Sequence, residues 1–435
     1  MVGQAFPLEE MVAFRHRVKP HARFDDAVPE RSTDTARRVR FLRAVARHAV
    51  FRRLWLGALA SSVGQWMQQV ALGWLAIVMT NSPGFVGIVT FAAGLPFLVV
   101  APFGGALIDR IDRRRLMLAC QVLAFLLATV LAVDVMGGFV QLWHLPIAAF
   151  LNGSLLALLI PTQQSLVPAL VPRENLTNAV GLMSAGQNMT RVVGPSVAGV
   201  VIGTIGVGPT FLAQAVAVAV SFILVLGIVL PPRAPRATGG RGVFDGIRLV
   251  VSRPDLRSLF LLASIPTFFV FPYIGFLNVF ARDILHIGAE GLGLLMAVSG
   301  CGAVVGSLLV ASAARSEGTG RLLLSMTVLY GLPIVGVALS RTLWITLPLL
   351  FVAGMLGAAF MSGNNALVQH RVTDDVRGRV MGAYMLTWGL MPLGSLPMGM
   401  VGDRIGTPVA VAGGAVISSL LAGILGLASS AVRDV

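Results

Sequence analysis

The sequence predicts an all-α membrane protein with twelve transmembrane helices in two parallel six-helix halves. Composition is the first reason. Of 435 residues, 56% are apolar and only 12% are charged, and the mean hydropathy is +0.84. A soluble domain runs near 45–50% apolar and about 25% charged. Length is the second. With a polar start of about 50 residues and the polar stretch 231–257 set aside, roughly 30 residues remain for each of twelve helices with its loop. A spanning helix needs about 20. The third is an internal repeat. Phe51-Arg-Arg-Leu-Trp55 matches Leu256-Arg-Ser-Leu-Phe260, and Arg115-Leu-Met-Leu118 matches Arg321-Leu-Leu-Leu324. Gln163-Gln-Ser-Leu-Val167 matches Asn364-Asn-Ala-Leu-Val368, and Gly181 matches Gly382, all at a common offset near 200. Parallel six-helix repeats are one known transporter plan.

The elements follow in order. Residues 1–50 form a cytoplasmic tail. Its first thirty residues carry Glu9, Glu10, Asp25 and Asp26 without an apolar core, so no cleavable signal peptide is expected. Thr33–Phe51 is basic and suits a juxtamembrane segment beside anionic headgroups. The N-terminal half covers 51–230, with spans at 52–80, 84–108, 116–136, 141–168, 175–203 and 209–230. A cytoplasmic linker, 231–256, is rich in Pro, Gly and Arg. The C-terminal half covers 257–435, with spans at 257–280, 289–314, 321–340, 343–367, 376–401 and 406–430. Arginines crowd the loops after the even-numbered spans. The opposite loops hold only Arg282, Arg341 and Arg404. The positive-inside rule makes the crowded side cytoplasmic and puts both termini there.

Several function classes are excluded. The net charge of +14 is spread over membrane-flanking loops, which does not make a nucleic-acid reader. Lysine occurs once, at Lys19 before Pro20, so no phosphate-cradling GxxxxGK[ST] loop exists. There is no HExxH and no CxxC, and Cys120 and Cys301 both fall inside spans as small packing residues. No metal and no cofactor is expected.

Polar residues inside a span normally face the bundle interior or a wet cavity. In span 5, Ser184, Gln187, Asn188 and Arg191 share one helix face, being spaced i, i+3, i+4 and i+7. In span 1, Ser61, Ser62, Gln65, Gln68 and Gln69 form a similar stripe beside Trp66. In span 11, Tyr384, Thr387, Trp388 and Ser395 do the same. A shared central cavity is the economical reading, with Gln65, Trp66, Gln69, Gln187, Arg191 and Trp388 as its lining. Helix–helix hydrogen bonding by the amides is the alternative. Arg191 is the only basic residue deep in a span. It is read either as a hydrogen-bond anchor to neighbouring spans or as an attractor for an anionic substrate, and the anchor is favoured.

The sharpest motif is Gly104-Gly-Ala-Leu-Ile-Asp109-Arg110-Ile-Asp-Arg113-Arg114-Arg115-Leu116. It resembles the GxLaDRxGRRxxL loop between helices 2 and 3 of the major facilitator superfamily, with Asp112 where that loop often has Gly. Three further runs are similar to the superfamily's exporter branch, which contains enterobactin exporters and macrolide efflux proteins. They are Ser62-Val-Gly64-Gln-Trp66-Met-Gln-Gln-Val-Ala71-Leu-Gly-Trp74, Thr80-Asn-Ser-Pro83 and Arg191-Val-Val-Gly194-Pro195-Ser-Val-Ala-Gly199. The resemblance covers about residues 50–430. It implies a cytoplasmic gate built from Gly105, Asp109, Arg110, Arg113 and Glu174. There Asp109 would meet the N-terminal end of span 11, and Arg113 would pair with Glu174, Asp374 or Asp375. Gly194-Pro195 and Gly199 are expected to serve a kink and close packing.

These readings define a secondary active transporter of the cell inner membrane, no enzyme, working by alternating access. The resemblance implies export of a siderophore-like or antibiotic-like small molecule and coupling to protons. No span has a carboxylate near its middle, so the proton carrier stays unnamed. The expected partners are the small-molecule substrate, membrane lipids and protons, with no nucleic acid, and the chain is expected to be a monomer. The alternatives are a lipid or lysolipid flippase of the same fold and a non-transporting sensor or assembly factor. A protease pair of Ser299 and His144 has no motif behind it.

Overall fold

The computed structural model describes residues 45, 48–100, 111–228, 243–313 and 319–428. Among these residues every regular element is helical. The first half holds α1 (Ala49–Thr80), α2 (Pro83–Val99), α3 (Arg113–Met136), α4 (His144–Leu170), α5 (Arg173–Ile205) and α6 (Val207–Leu226). A linker helix α7 (Val243–Ser252) follows. The second half holds α8 (Pro254–Phe269), α9 (Tyr273–Val279), α10 (Gly288–Ala313), α11 (Thr319–Leu339), α12 (Leu343–His370), α13 (Asp374–Trp388), α14 (Leu390–Ile405) and α15 (Thr407–Ala428).

Eight helical stretches among the described residues are long and apolar enough to cross a bilayer. The others explain themselves by sequence. α1 and α5, at 32 and 33 residues, have the length, but they carry the polar stripes. α2 is apolar and has 17 described residues. α13 and α14, at 15 and 16 residues, are two pieces of one expected span.

That break was not expected, and neither was its counterpart. The expected continuous span 257–280 is instead α8, an interruption at 270–272, then α9 and a π-helical turn Phe280–Ile284. Pro272 lacks an N–H and disfavours helix at Phe271. Val270 closes α8 with an ordinary bond to the Pro266 carbonyl at 2.9 Å, and Phe271 donates to that same carbonyl, five residues back, at 2.9 Å. At the other break Gly389 separates α13 from α14, and Pro392 cannot donate to the carbonyl four residues back. The expected linker also contains α7, whose Val250 is buried while Asp245 and Arg248 are exposed. Gly246 lets α7 lie against the Arg379 carbonyl of α13.

The repeat is visible in the turns. Asn81 after α1 and His286 before α10 both take positive φ, at 51° and 52°. Gly206 between α5 and α6 and Gly406 between α14 and α15 do the same, at 102° and 93°.

Within the first half, α1 lies between α5 and α6. Trp55 Nε1 donates to the Leu182 carbonyl of α5 at 2.9 Å. On the other side Gln214 Nε2 of α6 donates to Gln68 Oε1 at 2.6 Å. The halves meet along two seams where small residues let backbones touch. On the α5–α10 seam, a Cβ on Gly199 would lie 2.7 Å from the Ala289 carbonyl oxygen. On the α2–α14 seam, a Cβ on Gly87 would lie 2.7 Å from the Ser395 carbonyl oxygen.

Candidate functional site

α5 organises the candidate site because its four sides have different neighbours. One side meets α1, where Gly186 is against Trp55 and Leu59 and Gly194 is against Trp66. A second side meets α10 through Gly199 and Gly203, which face Ala289, Gly293 and Glu290. Met189, Val193 and Val200 are exposed on a third side. At about 100° per residue, Ser184, Gln187, Asn188 and Arg191 project on the fourth side, opposite the exposed apolar residues and between the α1 and α10 contacts.

Arg191 is half-buried there. Its guanidinium carbon sits 5.8 Å from the centroid of the Trp66 ring, within cation–π range. Its main-chain carbonyl lies where α10 passes, 3.3 Å from a Cβ placed on Gly300. Trp66 of α1, Arg191 of α5 and Gly300 of α10 thus come to one level. The hydrogen-bond anchor expected for Arg191 is not formed. Among the described residues its side chain makes no hydrogen bond and no ion pair, and Trp66 is its one recorded partner.

The α1 stripe divides. Gln68 is fully buried and bonded to α6, so it belongs to packing. Gln65 is half-buried and makes one long bond to Ser61 Oγ of its own helix, at 3.3 Å. Gln69 is exposed and Gln187 half-buried. Neither amide makes a side-chain hydrogen bond among the described residues. The span 11 stripe divides more sharply. Tyr384 is buried, taking a hydrogen bond from Asn364 Nδ2 at 3.1 Å. Thr387 and Ser395 donate to carbonyls of their own helices. Trp388 alone stays exposed, at the α13–α14 break, its ring 6.5 Å from Phe271 at the α8–α9 break.

Of the expected cytoplasmic gate, Gly105, Asp109 and Arg110 lie outside the described residues. Arg113 Nη1 donates to the Ser165 carbonyl of α4 at 2.8 Å. Glu174 is exposed in the first turn of α5. Asp112, the departure from the motif, has a local reason. It caps α3, its carboxylate accepting from Arg115 N–H at 2.9 Å. Arg114 donates to the Leu226 carbonyl at 2.6 Å, and Arg53 to the Gly227 carbonyl at 2.7 Å. Both satisfy the carbonyl end of α6. His144 pairs with Asp134 at 2.6 Å and Ser299 with the Tyr273 hydroxyl at 3.2 Å, so they are not partners of one another.

Sequence reasoning missed a set of contacts at the arginine-poor end. Two side chains of the second half grip the α1–α2 turn. Arg282 donates to the Ile77 carbonyl and to Asn81 Oδ1. The Asp403 carboxylate accepts from Gly84 N–H at 2.9 Å and from Ser82 Oγ at 3.0 Å. A cation thus meets the C-terminal end of α1 and an anion the N-terminal end of α2, the favourable sign at each pole. Asn278 Nδ2 adds a bond to the Gly73 carbonyl. At the other end of α5, Gly181 has nothing within 4 Å of its Cβ position.

Long apolar helices in two repeats, joined on glycine seams beside a polar face, define a membrane transporter of the major facilitator type. The chain belongs to the family described as transmembrane secretion effectors, whose model matches residues 43–435. It is a secondary transporter and not an enzyme. Among its relatives, the staphyloferrin A transporter of Staphylococcus aureus is 25% identical over 79% of this chain and 87% of that protein. Macrolide efflux protein A of Streptococcus pyogenes is 22% identical over 82% and 90%. An enterobactin exporter of Shigella boydii is 25% identical over 87% and 91%. Solved structures share the fold. A variant of the nucleoside transporter NupG has a TM-score of 0.72 at 13% identity, covering 86% of this chain and 99% of that one. An inward-facing bacterial homologue of the human lysosomal transporter Spinster has a TM-score of 0.65 at 16% identity, covering 88% and 96%.

Proposed function

We propose that this chain exports a siderophore-like or antibiotic-like small molecule across the cell inner membrane by alternating access, driven by protons. On this reading twelve spans cross the bilayer. α13 and α14 together form one of them, and α8 and α9 another. Both termini are cytoplasmic, a reading that the arginine distribution supports, and the chain works as a monomer in contact with membrane lipids. Residues 51–230 and 257–435 are the two moving halves, and 231–256 is the strap between them. Gln65, Trp66, Gln69, Gln187, Arg191 and Trp388 line the cavity. Gly105, Asp109, Arg110, Arg113 and Glu174 belong to the cytoplasmic gate.

One observation carries the reading. The polar face of α5 lies between its contacts with α1 and α10, while side chains from the second half close the arginine-poor end by gripping the α1–α2 turn. A polar face turned toward the join of the two halves, with a closure at one end, supports a cavity that opens to the other side. The breaks in spans 7 and 11 bring the rings of Phe271 and Trp388 to 6.5 Å of one another, and interrupted helices recur at transporter sites.

The test is export from cells expressing the full chain, with a panel of siderophores and antibiotics and with or without a proton-gradient uncoupler. Export of a panel member that stops with the uncoupler is expected. Export that persists in its presence would remove the proton, and export of none by a membrane-inserted protein would remove the reading.

A further inference from the structure

Among the described residues Arg191 is the one cation placed deep in a long helix, and it stands apart from the other well-placed arginines. Arg53, Arg113, Arg114 and Arg282 each donate to a main-chain carbonyl. Three of these bonds, to Gly227, Leu226 and Ile77, hold a helix end, and the fourth ties α3 to α4. Arg191 has no such bond among the described residues. Its guanidinium lies on Trp66 at 5.8 Å, and the half-buried side chain projects on the α5 face between the contacts with α1 and α10. No span carries a carboxylate near its middle, so no counter-charge is built in at this depth. A cation held there without one is costly. A structural role would be expected to relieve that cost with carbonyls, as it does at the other four positions.

We propose that Arg191 is the counter-charge for the transported molecule, and that the molecule is an organic anion bearing a carboxylate or a similar oxyanion next to an apolar body. This rests on the transporter reading and names the substrate class of the same cavity. The planar guanidinium presents donors in a fork that matches a carboxylate. Trp66 holds one face of it and keeps the fork aimed. Gln187 and Asn188, one turn away on the same face, offer amides to the polar remainder of the ligand. The apolar part lies in the gap beside Trp66. Organic cations of the same shape are rejected, because they would meet a fixed positive charge with no acid to offset it.

The test uses the full chain in nanodiscs and a matched pair of probes, 2-naphthoate and 2-naphthamide, which differ in charge and hardly in shape. The wild type should bind the carboxylate at least about tenfold more tightly than the amide. Arg191→Gln should lose that preference by weakening the carboxylate, and Arg191→Lys should keep part of it. Thermal melting of the variants shows whether they are folded. Equal binding of the two probes by the wild type, including no binding of either, overturns the proposal. So does a preference that survives in a folded Arg191→Gln protein. Transport fails separately: a protein that prefers the carboxylate and exports nothing leaves Arg191 as an anion site and removes the exporter.

Discussion

At the residue scale, two neighbouring glutamines show how little a side chain's identity says about its task. Gln68 and Gln69 are adjacent, yet Gln68 is buried against Gln214 and Gln69 is exposed. Gln68→Leu should therefore lower stability, by about 1 kcal/mol for a lost inter-helix hydrogen bond in a bilayer, and leave substrate preference alone. Thermal unfolding in detergent checks the first and an export panel the second. The pair Gln65→Leu with Gln187→Leu should do the reverse, shifting the substrate profile with an unchanged melting temperature. An unaltered profile would return both amides to packing. The stripes themselves were legible in the spacing of polar residues along α1 and α5. Which stripe members face α6 was not, because that depends on where α6 docks.

At the element scale, the arginine-poor closure is made by groups far apart in the chain. Asp403 and Ser82 are separated by 321 residues; Ser82 lies in the Thr80-Asn-Ser-Pro83 run, but nothing local ties it to Asp403. Arg282 was visible only as one of three arginines on the sparse side. Asp403→Asn with Arg282→Gln should loosen the turn between α1 and α2. A single reporter cysteine at Gln69, in a background with Cys120 and Cys301 replaced by Ser, should then label faster from outside the cell. Unchanged labelling would mean that the glycine seams alone hold the closure. The breaks in spans 7 and 11 were legible in principle at Pro272 and Pro392. Proline alone does not mark a break, since it is tolerated inside membrane helices when neighbours satisfy the freed groups, and Pro96, Pro161 and Pro195 do sit inside continuous helices here.

At the scale of the whole molecule, the helical class and the transporter family were legible in bulk properties. Hydrocarbon content named the solvent, and the Asp109–Arg115 run with the Gly194-Pro195 segment carried the resemblance. The meeting of the halves was not legible, since Gly199 reads only as permission for close approach and not as the address of a partner, and Gly87 belongs to no motif. The central claim is that these halves rock about the α1–α5 polar face. Pulsed electron–electron distances test it most directly, with spin labels at Thr177 and His370 for the arginine-rich end and at Ile205 and His286 for the other. As substrate and pH are varied, the account requires one distance to lengthen when the other shortens. Two distances that stay fixed, or that widen together, would contradict it.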